Sequence, residues 1–288
     1  MTYRWFIDET EHQLSHLYNG EEGRAIAARL LQHYCGIAPY EHLIEPYAEV
    51  AERYLSLLQN ALQQLAAARP LQYVIGYQEF LGRNFFVSEG VLIPRSETEE
   101  LVLWALEYIN DRCITIIDAA CGSGAIAVSI AASLPQSKVY AFDISERALE
   151  IAQKNNETLL PYSSRVTLFR NDLFHYQNIG ELSEQADIII SNPPYVTNAE
   201  KESMRRNVLD FEPEEALFVP DDDPLIFYKA LERFSSQHLK PGGAIFLEVN
   251  EQFGAETAAI FKKAGYTNVV VRQDIFGKDR MVMAVKYL

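Results

Sequence analysis

A run of isoleucines ends abruptly at two prolines in residues 186–195, Ala-Asp-Ile-Ile-Ile-Ser-Asn-Pro-Pro-Tyr. The apolar run predicts a fully buried central strand of the kind found in parallel sheets. Because proline lacks a backbone N–H and fixes φ, Pro193 and Pro194 end the strand in a stiff turn. Open α/β sheets bind ligands at the carboxyl ends of their strands. The segment therefore predicts an α/β fold with a ligand-binding turn at residues 192–195.

The groups on this turn suit a planar substrate that carries an –NH2. Asn192 has an amide that can donate and accept, the two prolines have carbonyls without a competing N–H, and Tyr195 has an aromatic face. The alternative is a tight turn with an ordinary core tyrosine. We predict Asn192 and Tyr195 as catalytic residues, and we predict that substrate binds to Asn192, Pro193, Pro194 and Tyr195.

The first third of the chain predicts a helical domain followed by a hairpin. Residues 1–70 are rich in helix formers with apolar residues at helical spacing, which indicates a small helical bundle. In residues 71–94, the β-rich runs 73–77 and 85–87 flank Leu-Gly-Arg-Asn at 81–84, which predicts a β-hairpin linker.

Residues 95–288 alternate strand-like and helix-like segments, which predicts a mostly parallel sheet covered on both faces. Ser96 and Glu99 have the spacing of a capping box, with Ser96 as N-cap of the first helix. Two strands flanking a turn at residues 276–279 predict an antiparallel C-terminal edge.

Composition argues against several function classes. The formal net charge is −15, and no cluster of Lys and Arg exceeds a short pair, which disfavours tight nucleic-acid binding. The three cysteines contain no Cys-x-x-Cys pair, so we expect neither a disulfide framework nor a metal site. The sequence has neither a signal-peptide pattern nor an apolar run of the ~20 residues that span a membrane. We expect a cytoplasmic protein without a membrane partner.

A glycine-rich loop after the first strand of the alternating region indicates a nucleoside-binding site. Gly122 and Gly124 lie between the strand 114–118 and a predicted helix, where glycine lets the backbone approach a ligand. Asp143 ends the next strand about 20 residues later, where a carboxylate binds ribose hydroxyls. The G-x-G-x-x-A pattern alone is weak, and these features suit NAD and S-adenosylmethionine equally.

Two further carboxylates favour S-adenosylmethionine. Asp118 precedes the glycines and would repel a pyrophosphate but attract an ammonium or sulfonium. Asp172 is placed to accept the adenine amino group while Leu173 packs on the ring. The alternative for both aspartates is capping of the following turn. The predicted cofactor-binding residues are Asp118, Ala120, Cys121, Gly122, Ser123, Gly124, Asp143, Asp172, Leu173 and Asn192.

These segments, with those at 72–76, 91–99 and 212–217, closely resemble the HemK/PrmC family of peptide chain release factor glutamine methyltransferases. The resemblance covers nearly the whole chain. It implies a class I, Rossmann-like, seven-stranded methyltransferase domain and a helical N-terminal domain that recognises the release factor. It implies N5-methylation of the glutamine in the Gly-Gly-Gln tripeptide of class 1 release factors, with S-adenosylhomocysteine as product.

The chain departs from the family pattern at Ala120, Ser96 and Asn250, where the family usually has Gly, Pro and Gly. Alanine favours negative φ, so we expect the cofactor loop to differ slightly at Ala120. Ser96 is expected to serve as a capping substitute.

Other interpretations stay open at this stage. The same chemistry could act on a ribosomal-protein glutamine or on DNA adenine, and the domain could be a non-catalytic module that binds S-adenosylmethionine or NAD. His33, His42 and His175 do not fall at predicted strand ends beside the site, so we assign them no catalytic role.

Overall fold

The computed structural model describes residues 1–110, 112–160, 166–175, 180–182 and 184–287. The chain divides into two compact units. The first comprises Met1–Tyr77 together with Arg205–Phe211, and the second comprises Gln78–Met204 and Glu212–Leu288.

The first unit is helical. Its helices pack around a core in which Leu14, Leu30, Leu58 and Leu65 are fully buried. Asn19 caps the second helix by accepting the N–H of Glu22 at 2.9 Å. The helices of residues 1–77 are α1 Tyr3–Leu14, α2 Gly20–Cys35, α3 Glu41–Ile44, α4 Glu52–Ala66 and α5 Leu71–Ile75.

The predicted first strand of the hairpin is wrong, because residues 71–75 form the helix α5. Pro70 precedes this helix and Gly76 ends it at φ +83°, so the helix has the proline and glycine signals that outweigh the β-rich composition. The two-stranded hairpin does form, with strands β1 Tyr77–Phe80 and β2 Arg83–Phe86. Its two-residue loop, Leu81 and Gly82, has positive φ at both positions, which matches the twist of a tight hairpin.

The second unit alternates strands and helices. None of the helices in the described part of the chain combines the length and apolarity needed to cross a membrane. Short 3₁₀ helices cover Asn198–Ser203 and Glu214–Ala216. The other elements after the hairpin are α6 Ser96–Ile109, β3 Thr115–Ala119, α7 Ala125–Ser133, β4 Lys138–Asp143, α8 Glu146–Leu159, β5 Val166–Arg170, β6 Ala186–Ser191, β7 Val196–Thr197, α9 Arg206–Leu209 (which belongs to the first unit), β8 Phe218–Val219, α10 Ile226–His238, β9 Leu239–Glu248, α11 Gly254–Lys263, β10 Thr267–Gln273 and β11 Asp279–Val285.

Among the described residues, seven strands form one sheet in the order β10-β11-β9-β6-β3-β4-β5. The strands from β9 to β5 in that order pair in parallel, and β11 pairs antiparallel with both β9 and β10. The predicted mostly parallel sheet with an antiparallel C-terminal edge is confirmed.

Helices cover both faces of the sheet, and alternate strand residues point to opposite faces. Ile116, Ile188 and Phe246 belong to the core beneath α6, α7 and α8. Ile117 and Ile189, which directly follow Ile116 and Ile188, belong to the core beneath α10 and α11 on the other face. This two-sided burial explains why the strands are continuous apolar runs.

Helix α6 does not begin with the predicted capping box. Arg95 occupies the N-cap position without a side-chain cap, and the Ser96 hydroxyl donates to Glu97 instead. Glu99 accepts the N–H of Leu81 at 3.0 Å and so ties the hairpin loop to the helix. A tertiary contact has replaced the local one that the spacing predicted.

Removal of the Asn155 side chain is expected to destabilise the second unit by about 2–4 kcal/mol, since this buried side chain makes three hydrogen bonds. Its amide accepts the N–H of Phe86 at 2.7 Å and donates to the carbonyls of Phe86 and Ser123 at 3.0 and 2.9 Å. The control is the adjacent, equally buried Asn156, whose one bond among the described residues is a 3.4 Å contact to Val166.

The measurement is urea denaturation of Asn155→Ala and Asn156→Ala. We expect the second variant to lose only about 1 kcal/mol. Equal losses would mean that cavity formation, which the two substitutions share, outweighs the hydrogen bonds.

Candidate active site

The order in which the chain adds strands to the sheet reverses at β3, and the candidate site lies at the carboxyl end of this strand. The chain runs from β3 through β4 to β5 on one side and then returns to β6 on the other. Ala119, at the end of β3, pairs with both Phe142 and Ser191, and the Ser191 hydroxyl donates to the Ala119 carbonyl at 2.7 Å. The loops that follow β3 and β6 therefore diverge from adjacent strand ends, which leaves a crevice between them.

A cavity of about 290 Å³ occupies this crevice. Most of the predicted site residues line it, but within the described residues Asp118, Gly124, Pro193 and Tyr195 do not. The predicted residues that line the cavity are Ala120, Cys121, Gly122, Ser123, Asp143, Asp172, Leu173, Asn192 and Pro194. The structure thus brings the glycine loop, the two strand-end aspartates and the amide turn to one cavity.

The loop after β3 turns through three residues with positive φ. Gly122 has φ +54°, and a Cβ there would meet no protein atom within 4 Å, so the backbone faces open space. Gly124 has φ +77°, and a Cβ there would lie 3.1 Å from the Ala152 Cβ, so close helix packing requires glycine. Ala120 adopts φ +59°, so the expectation that alanine would keep this position at negative φ is wrong. The loop keeps a glycine-like conformation at the cost of local strain.

Asp118 is fully buried beneath the loop. One carboxylate oxygen, Oδ2, accepts the N–H of Ala127 in the first turn of α7 at 3.0 Å, which is the capping role considered as the alternative. The other oxygen, Oδ1, is buried without a partner among the described residues. Burial raises the pKa of Asp118 well above its ordinary value, and the nearby Asp143 raises it further, while the Ala127 N–H lowers it.

Asp143 lines the cavity and holds the two loops beside it. Its two oxygens accept the N–H groups of Gly122 at 2.8 Å and Ser145 at 2.9 Å, and each oxygen retains a second lone pair for a ligand. Burial raises the pKa of this carboxyl above its ordinary value, although the two N–H donors lower it and the charge of Glu215 raises it.

An apolar end of the cavity lies beside Asp172. The rings of Phe174 and Phe227 line it, 5.1 Å apart, together with the buried Leu173. Asn171 also lines it, and its buried Nδ2 has no partner among the described residues. Flat apolar walls with an orphan donor suit a planar heterocycle.

Asp172 is paired with a histidine to which the sequence assigned no role. His175 Nδ1 lies 2.7 Å from one carboxylate oxygen of Asp172, and the N–H of Phe174 donates to the other at 2.8 Å. Partial burial raises the pKa of Asp172, but the hydrogen bonds from these two residues outweigh it and hold the pKa below its ordinary value. The carboxylate stays charged.

The amide of Asn192 lies at the start of a hydrogen-bonded chain. Its Nδ2 donates to Thr98 Oγ1 at 3.0 Å, and Thr98 donates to Glu248 Oε2 at 2.6 Å. Tyr195 donates its hydroxyl to Glu248 Oε1 at 2.8 Å. Burial and the Glu248 charge raise the pKa of Tyr195 well above its ordinary value, so this phenol stays protonated and donates.

A second buried carboxylate, Glu212, holds one wall of the cavity. It accepts the N–H of Ile93 at 3.0 Å and pairs with Arg95 at 2.6 Å, which fixes the segment 90–94. The sequence interpretation assigned no role to Glu212, Glu248 or Thr98. A carboxylate inside an apolar segment, as Glu248 is in Ile-Phe-Leu-Glu-Val, is the signal that could have found one of them.

Substitution of Asp118 by Asn is expected to make the protein more resistant to urea at about pH 8. The pKa of Asp118 is higher in the folded protein than in the unfolded chain. As the pH rises above the unfolded-state pKa, the folded protein therefore loses stability, because its buried carboxyl resists ionisation. Asn keeps an oxygen for the Ala127 N–H without that charge. Unfolding curves of both proteins at about pH 4 and about pH 8 test this, and the gain should shrink at the lower pH. A variant that is no more stable than the unmodified protein at the higher pH would contradict it.

Comparison with known proteins identifies the family. Residues 6–76 match the PrmC N-terminal domain, and residues 99–210 match the methyltransferase small domain. A release factor glutamine methyltransferase from Bacteroides thetaiotaomicron is 48% identical over 227 residues, which is 79% of this chain and 80% of that relative. Another, from Flavobacterium psychrophilum, is 35% identical over 276 residues, 93% and 94% of the two chains.

A solved methyltransferase structure from Pyrococcus furiosus shares the fold, with a TM-score of 0.53, 17% identity, and coverage of 80% of this chain and 100% of that one. The similarity to the Flavobacterium psychrophilum relative covers 93% of this chain, so it reaches both the helical region and the cavity-bearing sheet. The resemblance inferred from the sequence is confirmed: the chain belongs to the release factor glutamine methyltransferase family.

Proposed function

We propose that this enzyme transfers a methyl group from S-adenosylmethionine to the side-chain amide nitrogen of the glutamine in the Gly-Gly-Gln tripeptide of class 1 peptide chain release factors. One observation carries the proposal. Asn192 lines the cavity with its Nδ2 committed to Thr98, so its Oδ1 is the atom left to accept an N–H from a substrate amide. Family membership supports the choice of glutamine.

The residues around the cavity fit the cofactor. The carboxyl group of Asp143, which lines the cavity, suits a ligand with an ammonium and a sulfonium. Asp143 would hold the ribose hydroxyls, Gly122 would let the backbone approach, and Asp172, Asn171 and Leu173 would hold the adenine. When bound, S-adenosylmethionine supplies a methyl group on a positively charged sulfur, which makes that carbon electrophilic.

Residues of the turn position the substrate amide. An amide nitrogen is a poor nucleophile because its lone pair is delocalised. We assign the acceptor for one N–H to Asn192 Oδ1 and that for the other to the Pro193 carbonyl, which together fix the direction of the lone pair. Tyr195 does not line the cavity, so it would limit the tilt of the amide plane indirectly, by holding the turn through its hydrogen bond to Glu248. Such positioning supplies on the order of 7–11 kcal/mol of the barrier through proximity and orientation.

The charge balance of the reaction explains why this site needs no oxyanion hole. The nitrogen gains a positive charge as the methyl group arrives, and the sulfonium loses one, so little net charge develops. The methylated amide then loses its proton to water. Buried groups such as Tyr195, which stays protonated, are not required as bases.

The helical unit is assigned to recognition of the release factor. This unit matches the PrmC N-terminal domain, and it carries exposed apolar side chains at Trp5, Leu43, Ile44 and Tyr47. Membrane or nucleic acid partners are not part of the proposal. We place the reaction in the cytoplasm, where release factors act on ribosomes.

Asn192→Ala should lower methyl transfer by at least about 10²–10³-fold, because it removes the oriented acceptor for the substrate amide. The Kd for S-adenosylmethionine should change by no more than a few-fold. The matched control is Asn198→Ala. The side chain of Asn198 is exposed, lies away from the cavity and donates to the carbonyl of Val219. Rates with a labelled methyl donor and calorimetric titration measure the two quantities. Turnover of Asn192→Ala at the control's rate would exclude the assigned role.

The substrate is tested by transfer of labelled methyl to a purified release factor and to its variant with alanine in place of the tripeptide glutamine. We expect label on the unmodified factor alone, since the alanine variant lacks the amide. A DNA duplex with adenines and total ribosomal protein serve as parallel acceptors. Label on either of these, with none on the factor, would reject the proposed substrate.

A further inference from the structure

Glu248 is a fully buried carboxylate that the proposed reaction does not use. It lies at the carboxyl end of β9, and among the described residues it forms no ion pair. Its two oxygens instead accept hydroxyl groups, from Thr98 at 2.6 Å and from Tyr195 at 2.8 Å. Taking a carboxylate out of water costs several kcal/mol, so short charge-assisted hydrogen bonds must offset that cost.

Burial raises the pKa of Glu248 above its ordinary value, while the hydroxyls of Thr98 and Tyr195 and the charge of Arg280 lower it. In its ionised form, Glu248 dictates the direction of every hydrogen bond that runs from it to Asn192. An ionised carboxylate can only accept, so both hydroxyls must donate to it. Thr98 has a single hydroxyl proton, and Glu248 takes it. Thr98 Oγ1 can therefore only accept from Asn192, 3.0 Å away.

The orientation of the Asn192 amide follows from this direction alone. The oxygen and nitrogen of an asparagine amide have nearly the same shape, so packing does not distinguish its two orientations. Acceptance by Thr98 requires the NH2 group of Asn192 on that side, which leaves Oδ1 for the ligand.

We propose that Glu248, acting through Thr98, is a positioning residue that holds the oxygen of Asn192 toward the substrate and thereby selects a substrate group that donates N–H bonds. The inference rests on the proposed function and adds a specificity mechanism to it. A primary amide is accepted because it offers two N–H groups. A carboxylate of the same shape is rejected because it would place its lone pairs against the Asn192 oxygen.

The relay predicts a change in selectivity when its direction is lost. Thr98→Val has nearly the same shape as the native residue but no hydroxyl, so the Asn192 amide becomes free to turn. Thr98→Ser retains the hydroxyl and the direction. Glu248→Gln introduces an NH2 group that must face either Thr98 or Tyr195, so the obligation to donate is lost for one of the two hydroxyls.

The experiment measures binding of a release factor with the tripeptide glutamine and of its Gln→Glu variant to each enzyme form, in the presence of S-adenosylhomocysteine. We expect the unmodified enzyme and Thr98→Ser to prefer glutamine strongly. In Thr98→Val that preference should fall by about 10-fold or more, because a site built for one donor pattern discriminates strongly against the opposite pattern. Glu248→Gln should lower the preference by no more than Thr98→Val, because its NH2 group can face Tyr195 and leave the Thr98 hydrogen bond unchanged. For Thr98→Val, the rate of methyl transfer to the unmodified factor should fall mainly through a lower kcat.

Two controls separate positioning from general damage. Asp187→Asn alters a carboxylate at the opposite edge of the sheet, where it accepts the N–H of Thr115 and pairs with Lys240, and it should leave the preference unchanged. The double variant Thr98→Val/Glu248→Gln should be no less selective than Thr98→Val alone, since the relay is already broken. The comparison of Thr98→Val with Thr98→Ser tests the positioning role even where Glu248→Gln does not fold.

The outcomes distinguish this inference from the proposed function. Equal preference in Thr98→Val and Thr98→Ser, or a further 10-fold drop in the double variant, would overturn the relay. The side-chain NH2 resonances of Asn192, assigned with Asn192→Ala, report its hydrogen bond without substrate, and they should shift in Thr98→Val but not in Thr98→Ser. If the factor is never methylated yet these resonances shift in that way, the proposed substrate fails and the relay stands.

Discussion

The reversal of strand order at β3 is the constraint on which the rest of the site depends. Because the chain leaves β5 and re-enters the sheet beside β3 as β6, two loops about 70 residues apart in sequence begin from paired residues, Ala119 and Ser191. Parallel pairing sets both loops at the same edge of the sheet, where residues of both line one cavity. An antiparallel β6 would carry the Asn-Pro-Pro-Tyr turn to the opposite edge, so no local feature of that turn could restore the site.

Buried carboxylates then hold the loops that leave this edge. Asp118, Glu212 and Glu248 are all inaccessible, and each accepts a backbone N–H or a hydroxyl proton from a segment that lines the cavity. Such groups are expensive to bury, but an ionised carboxylate accepts at every lone pair and never donates. That property makes it suited to fixing hydrogen-bond direction, which a neutral amide or hydroxyl could not do.

The sheet and most of the cavity lining could be predicted because their signals are local. The isoleucine run, the glycines and the strand-end aspartates each predict local structure from a few neighbouring residues. Helix α5 could not be predicted from its β-rich residues, since its limits are set by Pro70 and Gly76. The link from Thr98 to Glu248 spans 150 residues, and only the packing of α6 on β9 creates it. The missing capping box has the same cause, because Glu99 serves the hairpin instead of its own helix.

The departure at Asn250 shows how this chain secures the turn from a second direction. The buried Asn250 side chain donates to the carbonyl of Tyr195 at 3.2 Å and to Glu200 at 3.0 Å. Glu200 in turn accepts the backbone N–H and the hydroxyl of Thr197 at 2.8 Å each. Glycine at this position has no side chain to make these bonds. Tyr195 is therefore held at its hydroxyl by Glu248 and at its carbonyl by Asn250. Glu248 ends β9 and Asn250 follows two residues later. This short segment thus fixes both the side chain and the backbone of the turn that the two prolines begin.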